Sequence, residues 1–276
     1  MKDALNEALP PAHARAPEPG DAAALVRALS QDGIAPPPQL GERLMARVRA
    51  HAQANATLHT RRHPLREPAQ TLPGCRAWPL AAHSRLVELD AGALLPDDGH
   101  SSRELLLLSG SLLGPQGERL QAQDYALAAP GSMLRAEQRS RLYLRAHGAD
   151  GPFHSSAPLH LMRSRQADAG WQPLREGVSL LPLYAEGEAL SLLARFEAGA
   201  RVPAHPHGID EECLMVEGEL FLGDVLLPEG GFQLAPGGTQ HGELFADAPC
   251  LLFFHGAIDP QAVDNAFRLQ RGYPAL

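Results

Sequence analysis

His205 and His207, separated by one residue, open the most chemically loaded stretch of the chain. In an extended strand alternate side chains share a face, so both imidazoles project to one side. Glu211 follows, ahead of a strand-like run to Gly218. A second glycine-rich turn, Gly230 to Gly238, delivers His241. Three imidazoles and one carboxylate can converge on a single divalent cation. Imidazole nitrogen with carboxylate oxygen suits zinc, iron, nickel or manganese.

These residues resemble the two motifs of the cupin superfamily. The first, G-x5-H-x-H-x3,4-E-x6-G, is met in full by Gly199, His205, His207, Glu211 and Gly218. The second, G-x5-P-x-G-x2-H-x3-N, is met by Gly230, Pro236, Gly238 and His241, with Phe245 in the place of the Asn. The resemblance implies an all-β, double-stranded β-helix (jelly-roll) barrel. It implies one divalent metal inside, zinc first among the candidates, held by His205, His207, Glu211 and His241. No catalytic residue is assigned.

The elements that must position these ligands are short strands. Before the motif they run over Arg85–Asp90, Glu104–Ser109, Tyr125–Ala128 and Arg141–Ala146. After Trp171 the texture repeats over Leu190–Phe196, Glu211–Glu217, Gly231–Ala235 and Cys250–His255. An internal repeat in the same order predicts a duplicated barrel. The expected division is a helical or disordered arm over 1–70, a degenerate barrel over 71–160, and a metal-binding barrel with a C-terminal tail over 161–276. The first copy has Asp98 in the place of the first His, His100 in that of the second, Glu104 as the acid and Arg135 in the place of the last His. A fixed guanidinium repels a cation, so this barrel is expected to be metal-free, with Arg135 paired to Asp98 or Glu104. An anion pocket centred on Arg135 is the alternative.

In the second copy, alternation from Glu211 sends Cys213 and Met215 inward and Glu212 outward. Cys250 reads as core. Glu243 lies on the His241 face and is a candidate base. Trp171 is placed over the end of the second barrel. Residues 262–276 read as a short helix or an extended tail docked on a barrel.

The N-terminal stretch has a different character. A helix is predicted from Asp21 to about Asp32, with Asp21 as N-cap and Gly33 as stop. A second is predicted from about Gln39 to Ala54, with Leu40, Leu44, Met45 and Val48 on one face. Pro36, Pro37 and Pro38 stiffen the join. Residues 55–70 read as linker. Residues 1–70 carry nine Lys/Arg against seven Asp/Glu, while the formal charge of the whole chain is -8. That balance gives no case for direct nucleic-acid binding. Three widely spaced cysteines suggest no disulfide framework. No apolar run nears the roughly 20 residues that span a bilayer. A cytoplasmic protein with no membrane contact is the expectation.

Within the cupins, the W-x5-G at Trp171, the H-x-H-x3-E-E at His205 and the A-P-G-G-x-x-H turn resemble the cupin domain of ChrR-type anti-sigma factors. The run from Pro36 to Val48 resembles the helical connector of such proteins. The resemblance implies a regulatory, stress-sensing role in transcription, with a sigma factor or other protein partner engaged through the N-terminal arm. The chain departs from the family in one respect: residues 1–70 contain no cysteine, so the H-x3-C-x2-C zinc motif is missing. The alternative is a metal-dependent cupin dioxygenase acting on a small oxygenated substrate. Either reading places a small-molecule ligand in the second barrel, and a homodimer is compatible with both.

Overall fold

The computed structural model describes residues 41–46, 49, 58–61, 68, 70–148, 157–164, 170–186 and 188–276. The chain divides into a unit over Met1–Gln53 and a unit over Ala54–Leu276. In the first, residues 41–46 are helical, within the span predicted for the second helix. The helix predicted over 21–32 lies outside the described residues. Among the described residues, no helix is long and apolar enough to cross a membrane.

The second unit is built from two large antiparallel sheets of seven strands each. One is centred on Ser102–Ser109 and Ser140–His147, the other on Glu211–Glu217 and Cys250–Gly256. A three-stranded sheet closes the first barrel, and a four-stranded and a two-stranded sheet close the second. Continuous apolar runs such as Leu105-Leu106-Leu107 arise because both faces of these central strands are covered. Leu105 and Leu107 point into the first barrel, while Leu106 points into the space between barrels. In the same way Cys213 and Met215 fill the second barrel, as expected, and Leu214 faces the other way. Cys250 and Leu252 are interior, and Leu251 and Phe253 are not. Three apolar cores result: one in each barrel, and one where Tyr125, Tyr143, Leu193 and Phe253 pack between the large sheets.

The two copies obey the same hydrogen-bonding plan. Arg103 pairs with Ala128 as Glu211 pairs with Ala235. Gln123 and Gly230, both at positive φ, open the matching turns. Gly218 shows why the motif needs glycine there. Its φ is +76°, and a Cβ would lie 3.0 Å from both Cys250 Cβ and the Pro249 carbonyl oxygen.

The barrels also exchange strands. Leu159–Met162, from the connection that leads into the second barrel, pairs with Tyr125–Ala128 of the first. Reciprocally, His59–Arg61 precedes the first barrel but pairs with Phe232–Leu234 of the second. The segment read from the sequence as linker thus contains a sheet strand, with Leu58 buried beside it. Its β-branched Thr60 is reached by Gln233, whose side-chain amide donates to the Thr60 hydroxyl at 3.0 Å.

The C-terminal segment forms a short helix, Asn265–Gln270, capped by the Asp264 carboxylate. Its buried Arg268 donates to the carbonyls of Pro173 (2.7 Å) and Pro274 (3.1 Å). Trp171 precedes strand Gln172–Arg175, and the Arg195 guanidinium lies 4.0 Å from its ring centre.

Candidate metal centre

The structure brings His205, His207, Glu211 and His241 together inside the second barrel. One nitrogen or oxygen from each lies within 4.8 Å of the others, and all four residues are buried. His205 and His241 sit opposite each other in a two-stranded ladder. Glu211 begins the neighbouring strand of the large sheet. His207 is tied to the second motif's turn: its N–H donates to the Thr239 carbonyl, and its carbonyl accepts from Gly238 N–H. The turn is tied in turn to the Glu211 strand, where the Asp210 carboxylate accepts from Gly237 N–H at 2.9 Å. After His241 the chain passes close to another turn. A Cβ on Gly242 would lie 3.0 Å from the Gly223 Cα.

Each imidazole is oriented by an oxygen at Nδ1. His205 Nδ1 lies 2.8 Å from the Pro203 carbonyl, and His241 Nδ1 lies 3.3 Å from the Gly242 carbonyl. His207 Nδ1 lies 3.0 Å from the Thr239 hydroxyl. That hydroxyl gives its own proton to the Pro236 carbonyl at 2.6 Å, so it can only accept from His207. His207 therefore carries its proton on Nδ1 and turns a lone pair at Nε2 into the cluster. His207 Nε2 is buried without a hydrogen-bond partner. A buried polar atom left in this way is costly, and a cation would satisfy it.

The electrostatics suit a ligand set. Burial pulls the His207 pKa down to about 4; the Glu211 charge opposes this, and His241 and His205 add to it. His207 is thus neutral at ordinary pH. Burial alone would raise the Glu211 carboxyl. The hydrogen bond from His241, at 3.1 Å, and the nearby charges of His241, His207 and His205 outweigh it and hold the carboxyl below its usual range. Cys213 Sγ lies 3.4 Å from Glu211 Oε1. Burial and then the Glu211 charge push its pKa well up, so it stays a thiol and adds no thiolate ligand.

A cavity of about 60 Å³ adjoins the ligands. Leu180, Leu192, Ala194, Leu252 and Phe254 line it, with His205, Glu211 and Cys213 at the metal end.

Glu243 is not positioned as a base. It is half-exposed and pairs with Arg201. That Arg201 guanidinium lies 4.2 Å from the ring centre of Phe245, the residue in the motif's Asn position.

The first barrel differs from expectation in detail. Arg135 is exposed and stands in register with Phe245, because the Leu94–Arg135 bridge matches the Arg201–Phe245 pair. Arg135 follows its turn glycine, Gly131, more closely than Phe245 follows Gly238, so the shorter loop has no counterpart of His241. The expected pairing of Arg135 with Asp98 or Glu104 does not form. Asp98 is exposed and accepts from the Ser101 and His100 amides. His100 is exposed as well.

Arg103 takes the Glu211 position instead. It is 3% exposed and bonds the Asp97 carboxylate at 2.8 Å. It also donates to the Pro96 and Ser132 carbonyls.

Glu104 corresponds to Glu212, and both point between the barrels. Glu104 accepts from Tyr125 OH at 3.1 Å, meets His147 Nε2 at 3.0 Å and contacts Ser191 from the second barrel. Glu212 accepts from Tyr143 OH at 2.8 Å and pairs with Arg145, both from the first barrel. Alternation sent Glu212 outward correctly. Its cross-barrel partners, and the role of Thr239, carry no signal in the sequence alone.

Residues 161–259 match the family described as the ChrR cupin-like domain. No curated protein matches the chain. Among solved structures, AerE from Microcystis aeruginosa superposes with a TM-score of 0.53 at 15% identity, covering 70% of this chain and 97% of that one. A variant of salicylate 1,2-dioxygenase from Pseudoaminobacter salicylatoxidans superposes with a TM-score of 0.52 at 12% identity, covering 90% and 95%. Protein Ylba from E. coli does so with a TM-score of 0.51 at 15% identity, covering 68% and 86%. At such identities these similarities establish the cupin fold and nothing about activity.

Proposed function

We propose that this chain is a metal-binding bicupin of the ChrR type, which reads a small molecule at the second-barrel metal centre and relays its state to a protein partner. The observation that carries the reading is the convergence of four buried ligands, with His207 Nε2 lacking a hydrogen-bond partner, beside a largely apolar cavity. His205, His207, Glu211 and His241 would hold the cation. Zinc is the first candidate, with iron, nickel or manganese as alternatives. When bound, the cation supplies a Lewis acid for an oxygen-bearing ligand.

The remaining work falls to the chain. The Pro203 and Gly242 carbonyls and the Thr239 hydroxyl aim the imidazoles. Glu211 supplies compensating charge, and the leucine-rich wall gives the ligand an apolar surface. The partner, a sigma factor or another protein, would engage the N-terminal arm through its amphipathic helix, since residues 1–70 lack the family's zinc motif.

Elemental analysis of untagged protein, before and after acid stripping, tests the centre. One cation per chain, lost in acid and recovered at neutral pH, is the expected result. Protein that holds no cation under any loading condition would overturn the reading. A metal-dependent dioxygenase is the second reading, favoured by the cavity beside the ligands. Oxygen uptake by iron-loaded protein with small oxygenated substrates separates the two.

A further inference from the structure

We infer that the second barrel selects a short aliphatic ligand carrying a single anionic oxygen group, and rejects ligands with a second charge. The inference rests on the metal reading above and concerns what the cavity admits beside the cation. Among the described residues that line the cavity, the charged side chains are two acids, Glu211 and Asp259. No lysine or arginine is there to receive an anion. Apart from the Cys213 thiol, the rest of the wall is aliphatic or aromatic, with Leu180, Leu192, Ala194, Leu252 and Phe254 contributed by three adjacent strands of the large sheet. Ala257, Ile258 and Asp259 also line it and are partly exposed, so they form its solvent-side rim.

Charge balance decides the ligand's head. Metal-bound imidazoles are neutral, so within the ligand set itself one carboxylate and a divalent cation leave one net positive charge, Asp259 standing apart at the rim. A single anionic oxygen group neutralises it. The wall decides the ligand's body. Methylene groups leave water for an apolar surface. A second carboxylate would have to shed its hydration with no donor to replace it, beside the like charge of Asp259. The volume of about 60 Å³ holds several water-sized groups, which limits the body to a few carbons.

Full-length protein loaded with cobalt(II) provides the test, because the metal's visible absorption reports ligand entry without any turnover. Acetate, butyrate and succinate serve as probes. Butyrate should bind roughly tenfold more tightly than acetate, as two extra methylenes are buried. Succinate should bind at least about tenfold more weakly than butyrate. Ala194→Leu should keep its cobalt and lose most of the butyrate response. Should that variant fail to fold, Leu252→Ala is the second probe: its enlarged cavity should shift the preference from butyrate toward hexanoate. Equal affinity for butyrate and succinate, or for butyrate and acetate, would overturn the inference while leaving the metal centre intact. A chain that takes up no cobalt would overturn the metal reading, and this inference with it.

Discussion

Arg103 in the first barrel and Glu211 in the second occupy the same rung of their sheets, opposite Ala128 and Ala235 respectively. One barrel carries a fixed cation where the other carries a carboxylate that can hold one. The guanidinium sits in the position that a metal ligand would need, and a fixed cation there opposes metal binding more directly than any surface charge.

Removing two ligands should empty the second barrel. The double substitution His205→Ala/His241→Ala is expected to reduce bound metal from one per chain to none. Elemental analysis after dialysis checks it. Full occupancy in that variant would refute the ligand assignment.

Arg103→Ala should destabilise the protein without touching the metal. It strands the Asp97 carboxylate and three carbonyl acceptors in a largely buried site. Breaking such a pair costs about 3–5 kcal/mol. Denaturant unfolding should show a loss of that order while metal content stays constant.

The Arg145–Glu212 ion pair across the barrels predicts a non-additive response. Arg145→Ala leaves the Glu212 charge buried with only Tyr143 as partner. Adding Glu212→Gln should recover part of the loss, because the stranded charge is gone. A double-mutant cycle in urea measures the coupling. Strict additivity would show that the pair is too solvated to matter.

Acid should weaken the metal-stripped protein in a defined window. Burial lowers the pKa of both His207 and His255 from 6.5 to about 4. Between these values the unfolded chain binds protons that the folded chain refuses, so stability rises with pH across the window and falls as pH drops through it. Each histidine contributes roughly 3 kcal/mol in total across that window. Glu211 has its carboxyl held low, and it acts in the same direction at still lower pH. Thermal midpoints measured from pH 7 to pH 4 should fall, and a flat profile would contradict the burial argument.

The motif spacings made the convergence of His205, His207, Glu211 and His241 legible, because these residues lie on strands and turns whose geometry glycine and proline fix locally. The duplication was legible too, since strand order and turn chemistry repeat. The first barrel's interior was not. Arg103 and Glu104 are adjacent, and a one-residue change of register exchanges their faces. Motif alignment put Glu104 inside, whereas the ladder puts Arg103 there. A shorter loop after Gly131 separately moved Arg135 out of the ligand position. Nor could periodicity reveal the strand at His59–Arg61, which is only three residues long and gains its stability from a distant partner.

Two truncations follow from that strand. A chain beginning at residue 55 keeps it; one beginning at residue 68 does not. The first should melt with the full-length protein. The second should melt lower and self-associate, because the Phe232–Ala235 strand is left with an open edge. Matching midpoints for both would show that the pairing adds little.

Reciprocal exchange also dictates an order of events during synthesis. Thr60 leaves the ribosome 173 residues before Gln233, its partner across the ladder. The first sheet can close as soon as Leu159–Met162 emerges. The second cannot, because its outermost strand was made first and must wait, unpaired, for nearly the whole chain to appear. Until then the nascent protein carries a free β-edge at its leading end. A ribosome stalled before residue 232 would thus display a finished first barrel with a tether still searching for its place.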